Sequence, residues 1–107
     1  MTPQAPPRIR HVLFIRFKPE VEFDQIVAVM LEFLELRRRI AGIEAVEWGS
    51  NNSPEGLDKG YTHVVEVTFI DEQARDAYLP HPEHECFKTL FVPLLDDIIV
   101  MDFNLPS

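Results

Sequence analysis

The sequence predicts an α+β domain with the ferredoxin-like order β-α-β-β-α-β, and three observations carry that prediction. Residues 9–17 and 61–70 are β-rich with side chains sorting onto two faces, residues 24–39 carry apolar side chains at helical spacing, and prolines at 80 and 82 break a second helical region before a last β-rich run. In this order the two helices lie on one sheet face, as in a split βαβ layer.

The first strand, IRHVLFIRF at 9–17, is bounded by Pro7 and Pro19. Ile9, His11, Leu13, Ile15 and Phe17 share one parity, and Arg10, Val12, Phe14 and Arg16 the other. Asp24 reads as the N-cap of a helix over 24–39 with Val27, Met30, Leu31 and Leu34 at i, i+3, i+4, i+7. That helix stops at Ala41-Gly42 after Arg37-Arg38-Arg39, a basic run placed where cations complement a helix C-terminus and where Glu35 can meet Arg39 at i,i+4. A short strand at 43–49 and a polar, turn-rich loop at 50–60 follow. In the third strand, 61–70, Tyr61, His63, Val65, Val67 and Phe69 form one face. Asp71 reads as the cap of a short helix to about Leu79, which Pro80 ends; Pro82 opens a further helical stretch to about 92, and Asp97–Phe103 is the fourth strand.

A chain of 107 residues builds one domain with a thin core, here read as residues 8–107 behind a loose Pro-rich tail at 1–7. Helices on one sheet face leave the other face to be covered, and the same face of a second copy is the expected cover, giving a homodimer. A net charge of −8 argues against nucleic-acid and anionic-membrane partners. The single cysteine, Cys86, cannot form an intramolecular disulfide, and the first residues lack the apolar core of a signal peptide, so a cytoplasmic location is expected. Four glycines, none in a phosphate-loop pattern, argue against nucleotide binding, and no cofactor is expected.

The stretch YLPHPEHECF at 78–87 concentrates the reactive side chains. His81 and His84 are three apart, and His11 and His63 fall on strands that this topology makes neighbours, so all four histidines can reach the space between sheet and helices. Three readings remain open. In the first, His81 and His84 cap helix groups, and His63 and Tyr78 are packed core residues with satisfied polar atoms. In the second, His84 is a base in an apolar pocket and Tyr78 polarises a carbonyl or returns the proton. In the third, His81, His84 and Glu85 bind a metal, although neither a carboxylate cage nor a second cysteine supports it. Cys86 lies about 200° around the helix from His84 and reads as a buried, inert thiol rather than a nucleophile.

The segments RHVLFIRFK, VEWGSN, GYTHVVEVTF and YLPHPEHECF resemble the stress-responsive dimeric α/β-barrel (Dabb) proteins over about residues 8–103. The resemblance implies a ferredoxin-like protomer whose sheet pairs with that of a second subunit to form a dimeric α/β barrel with the helices outside. One plant member is a cofactor-free polyketide cyclase that performs an intramolecular aldol condensation. Its catalytic tyrosine and histidine match Tyr78 and His84, and its two strand histidines match His11 and His63 as pocket residues. Where that enzyme has a pocket tyrosine, this chain carries Phe33. Phe33 removes a hydroxyl from the pocket, while the resemblance as a whole implies an aromatic or polyketide-like ligand, with His81 a further pocket residue; the alternative is a non-catalytic stress-responsive or ligand-binding dimer.

Overall fold

The structure, a computed structural model, describes residues 5–106; residues 1–4 of the expected tail, and Ser107, lie outside the described residues. The elements run β1 (Ile9–Phe17), α1 (Phe23–Arg39), β2 (Ile43–Ser50), β3 (His63–Phe69), α2 (Glu72–Tyr78), α3 (Pro82–Phe91), a 3-10 turn (Val92–Leu94) and β4 (Leu95–Asn104). The four strands form one sheet in the order β2-β3-β1-β4, every neighbouring pair antiparallel. This is the ferredoxin-like arrangement, with its second helix split by the two prolines.

Strand parity decides what each face does. Ile9, Leu13 and Ile15 of β1 and Val65, Val67 and Phe69 of β3 are buried under the helices, together with Met30, Phe33 and Leu36 of α1 and Phe87 and Phe91 of α3. Opposite them, the helix-free face presents Phe14 and Val64 half-buried and Ile99, Met101 and Phe103 exposed. Beyond β4, the Leu105 N–H donates to the Arg8 carbonyl at 2.8 Å, so the sheet ends with its first and last strands side by side.

Several details differ from the sequence reading. The α1 stripe is rotated: Val29, Met30, Phe33 and Leu36 are buried, whereas Leu31 is 55% exposed. Apolar residues almost encircle this helix, so two stripes of similar spacing compete, and the one containing Phe33 meets the rings of α3. Helix α1 begins one residue earlier than Asp24, with Glu22 at the N-cap and the Gln25 side chain accepting from its backbone N–H at 2.8 Å; Asp24 instead places its charge in the first turn. At the other end, Glu35 pairs with Arg38, and Arg39 reaches Glu32 at 3.1 Å. Cys86 is exposed, because α3 buries the Phe87 and Phe91 face, which turns Cys86 outward.

Candidate functional site

Asp71 caps α2 as its side chain accepts from the Ala74 N–H at 2.8 Å, which sets the helix in register and brings Tyr78 to its last position over the sheet. Pro80 and Pro82 then force a new start. His81 becomes the N-cap of α3, its Nδ1 accepting from the Glu83 N–H at 3.0 Å. The α2 C-terminus leaves carbonyls without helical partners, and the Leu79 carbonyl accepts from His84 Nδ1–H at 3.0 Å. A carbonyl can only accept, so Nδ1 carries the hydrogen and Nε2 of a neutral His84 keeps its lone pair.

His84 stacks on Tyr78 with ring centroids 4.1 Å apart. Tyr78, 1% exposed, tilts against Phe69 at 5.0 Å, and His11 meets both rings edge-on at 6.0 Å. Burial pushes the Tyr78 hydroxyl well above its ordinary range, so it stays protonated as a donor. Burial also depresses His84, opposed by its backbone hydrogen bond and reinforced by Lys88, so its neutral form is favoured. On the far side of the cluster, His11 Nδ1 lies 2.6 Å from Asp102 Oδ1, and Asp102 Oδ2 accepts from Arg75 at 2.8 Å.

His11, Tyr78 and His84 are thus brought together, whereas His63 lies apart. His63 pairs with Ile15, four residues along β3 from the Val67 that faces His11, or roughly 13 Å away at about 3.3 Å per residue. There its ring lies against Phe17 at 5.3 Å and Trp48 at 6.4 Å, and burial lowers its pKa. Phe33 sits between α1 and α3, 4.6 Å from the Phe87 ring. His81 is committed to its capping bond, and Glu85 pairs with Lys88 at 2.8 Å. Among the described residues no group of three or more His, Cys, Asp or Glu side chains is placed to hold a metal ion.

A concavity of about 500 Å³ lies on the helix-free sheet face, where the 51–61 loop curls over Phe14, Val64, Ile99 and Met101, with Leu57 and Tyr61 on the loop side and His63 at one end. Tyr78, by contrast, is buried against the rings of His11, Phe69 and His84. The two residues not anticipated from sequence are Asp102 and Arg75. One signal was available: Ile98, Val100 and Asp102 share a parity in the fourth strand, and a carboxylate ending an apolar parity calls for a partner.

The sequence model of the stress responsive A/B barrel domain (Dabb) matches residues 9–105. A stress-response A/B barrel domain-containing protein of Arabidopsis thaliana is 35% identical over 96 residues, covering 90% of this chain and 88% of its own. Olivetolic acid cyclase of Cannabis sativa is 26% identical over 96 residues, covering 90% and 95%. Among solved structures, a crystal structure of an Arabidopsis thaliana protein superposes with a TM-score of 0.89 at 35% identity, covering 92% of this chain and 96% of that one. A dimeric ferredoxin-like protein of unknown function from Thermobifida fusca superposes with a TM-score of 0.77 at 27% identity, covering 94% and 92%. No helix among the described residues is long and apolar enough to cross a membrane.

Proposed function

The chain belongs to the stress responsive A/B barrel domain (Dabb) family, and from that membership we propose that it works as a homodimer whose subunits each carry a cofactor-independent acid/base site built on His84 and Tyr78. The observation that carries the catalytic part is the His84 hydrogen bond to the Leu79 carbonyl at 3.0 Å, which leaves Nε2 as an acceptor beside the buried Tyr78 ring. His84 Nε2 removes a proton from the carbon next to a carbonyl, and Tyr78 donates a hydrogen bond to the oxygen on which negative charge develops. The carbanion attacks a second carbonyl of the same molecule, and the resulting alkoxide takes up a proton, closing a ring without redox or metal chemistry. Similarity to olivetolic acid cyclase supports a polyketide-like or small aromatic substrate.

The dimer joins the two helix-free faces. Exposed Ile99, Met101 and Phe103 give that face an apolar surface, and Arg10 Nε and Thr68 Oγ1, on residues paired across β1 and β3, are buried there without hydrogen-bond partners among the described residues. The dimeric state of related ferredoxin-like structures supports a dimer.

One observation favours a second reading, a non-catalytic dimer: Tyr78 is 1% exposed among the rings of Phe69, His11 and His84, which leaves a substrate little access to it. Incubating the protein with linear poly-β-ketones and following cyclised products by liquid chromatography separates the two. Turnover that falls on the order of a hundredfold or more in His84→Gln supports the catalytic reading. No turnover by the wild type leaves the non-catalytic dimer, and turnover unchanged in His84→Gln removes His84 as the base.

A further inference from the structure

We propose that Arg75, acting through Asp102, is a positioning residue for His11, an inference that rests on the acid/base reading and extends its site by three residues. Asp102 stands directly opposite His11 in the β1–β4 register and divides its two oxygens between neighbours: Oδ1 lies 2.6 Å from His11 Nδ1, and Oδ2 accepts from Arg75 at 2.8 Å. An ionised carboxylate has no hydrogen to give, so His11 Nδ1 is the donor and Nε2 is the ring nitrogen that Asp102 does not engage. His11 then matches His84, whose Nδ1 is likewise spent on an acceptor, and the two imidazoles flank the Tyr78 ring.

Arg75 has acceptors on its own helix, Asp76 at 2.7 Å and Glu72 at 3.5 Å, both with largely exposed side chains. The contact that spans elements is the one to Asp102, where the two side chains are 20% and 23% exposed. A guanidinium on Oδ2 fixes the plane of the carboxylate, and that plane aims Oδ1 at His11. Arg75 also precedes Tyr78 by three residues on α2, so the ion pair holds the helix turn bearing Tyr78 against β4. A carboxylate that orients an imidazole and selects its tautomer is an established device of acid/base sites; here the carboxylate is itself held by a cation from another element.

The test is the nitrogen-15 spectrum of the histidine rings, recorded at a pH alkaline enough for neutral imidazoles, in the wild type, Arg75→Gln, Arg75→Lys and Asp102→Asn. In the wild type the His11 signals report the Nδ1–H tautomer. Asp102→Asn loses that form, since the amide can donate to Nδ1. Arg75→Gln gives a mixture of tautomers, and Arg75→Lys restores the wild-type pattern, while the His84 signals stay fixed in all four proteins. Unchanged His11 signals in folded Arg75→Gln and Asp102→Asn overturn the proposal. If Arg75→Gln does not fold, the wild-type pattern in Arg75→Lys together with its loss in Asp102→Asn supports the chain, and an unchanged Asp102→Asn or an altered Arg75→Lys overturns it. Turnover plays no part in this readout, so an inactive wild type with the expected spectra sinks the acid/base reading alone, and an active protein with unchanged spectra sinks this one alone.

Discussion

Replacing Tyr78 by Phe removes one oxygen and leaves the stacked ring, so its effects on stability and on chemistry separate. The expected stability change is within about 1 kcal/mol by urea unfolding, the net worth of an ordinary hydrogen bond. On a substrate found by the assay above, turnover is expected to fall about a hundredfold, the smaller end of the loss of one hydrogen-bond donor to a developing oxyanion. His84 and His63 give a pH prediction. Burial lowers both below the ordinary histidine value of 6.5, so on acidification the unfolded chain takes up protons before the folded one does. Their contribution to stability is fully present above 6.5 and is lost as pH falls through the depressed folded values. Urea midpoints are therefore expected to drop between about pH 7 and about pH 5, with a shallower drop in His84→Gln. The acid limb of any rate profile governed by His84 falls below 6.5 for the same reason. Tyr78 and His84 were legible in the sequence because six residues and two prolines bring them together locally. The Asp102 partner of His11 was not, since it depends on a strand register set 91 residues away.

At the scale of elements, Gly42 tests how tightly the turn after α1 is built. Its φ is +93°, and a Cβ placed on it would stand 2.6 Å from the Ala74 Cβ of α2. Gly42→Ala thus combines backbone strain with a clash that neither element can relieve by rotating a side chain. A loss of roughly 2 kcal/mol or more is expected in chemical denaturation. The helices and strands themselves were readable because capping, proline and alternation agree: β1 at 9–17, the Asp71 cap and the Pro82 start all fall where those signals put them. Disagreement arose where the signals were degenerate. In α1 a second apolar stripe was present, and the choice between them came from the aromatic rings of α3, which are remote in sequence. Likewise β4 extends from Leu95, earlier than its composition suggests, because pairing with β1 continues past a register shift at Arg16/Phe17.

For the whole molecule the proposed dimer rests on the helix-free face. Met101 is 65% exposed and lies opposite Val12 near the middle of β4. Met101→Glu puts a charge into the proposed subunit contact without touching the core under the helices, so the folded chain is expected to shift from dimer to monomer in light scattering. An unchanged dimer mass would place the contact elsewhere. That one sheet face is left free of helices was legible from the order of the elements, and Ile99, Met101 and Phe103 are exposed on it. Where the open concavity lies was not legible: it depends on the path of the 51–61 loop, which Gly56, Lys59 and Gly60 bend through positive φ.

The side-by-side first and last strands have a mechanical consequence. With Ile9 opposite Asn104 and the Arg8–Leu105 bond just outside them, a force applied through residues 8 and 105 acts across the strands and not along them. The load falls on one hydrogen-bonded pair at a time, and β4 peels away like a zipper, whereas strands pulled lengthwise must break their bonds together. A single protomer tethered at these positions in an optical trap is therefore expected to yield at low force, with detachment of β4 as the first step. That step frees Asp102 from both His11 and Arg75, which makes the candidate site the part of the molecule most sensitive to tension.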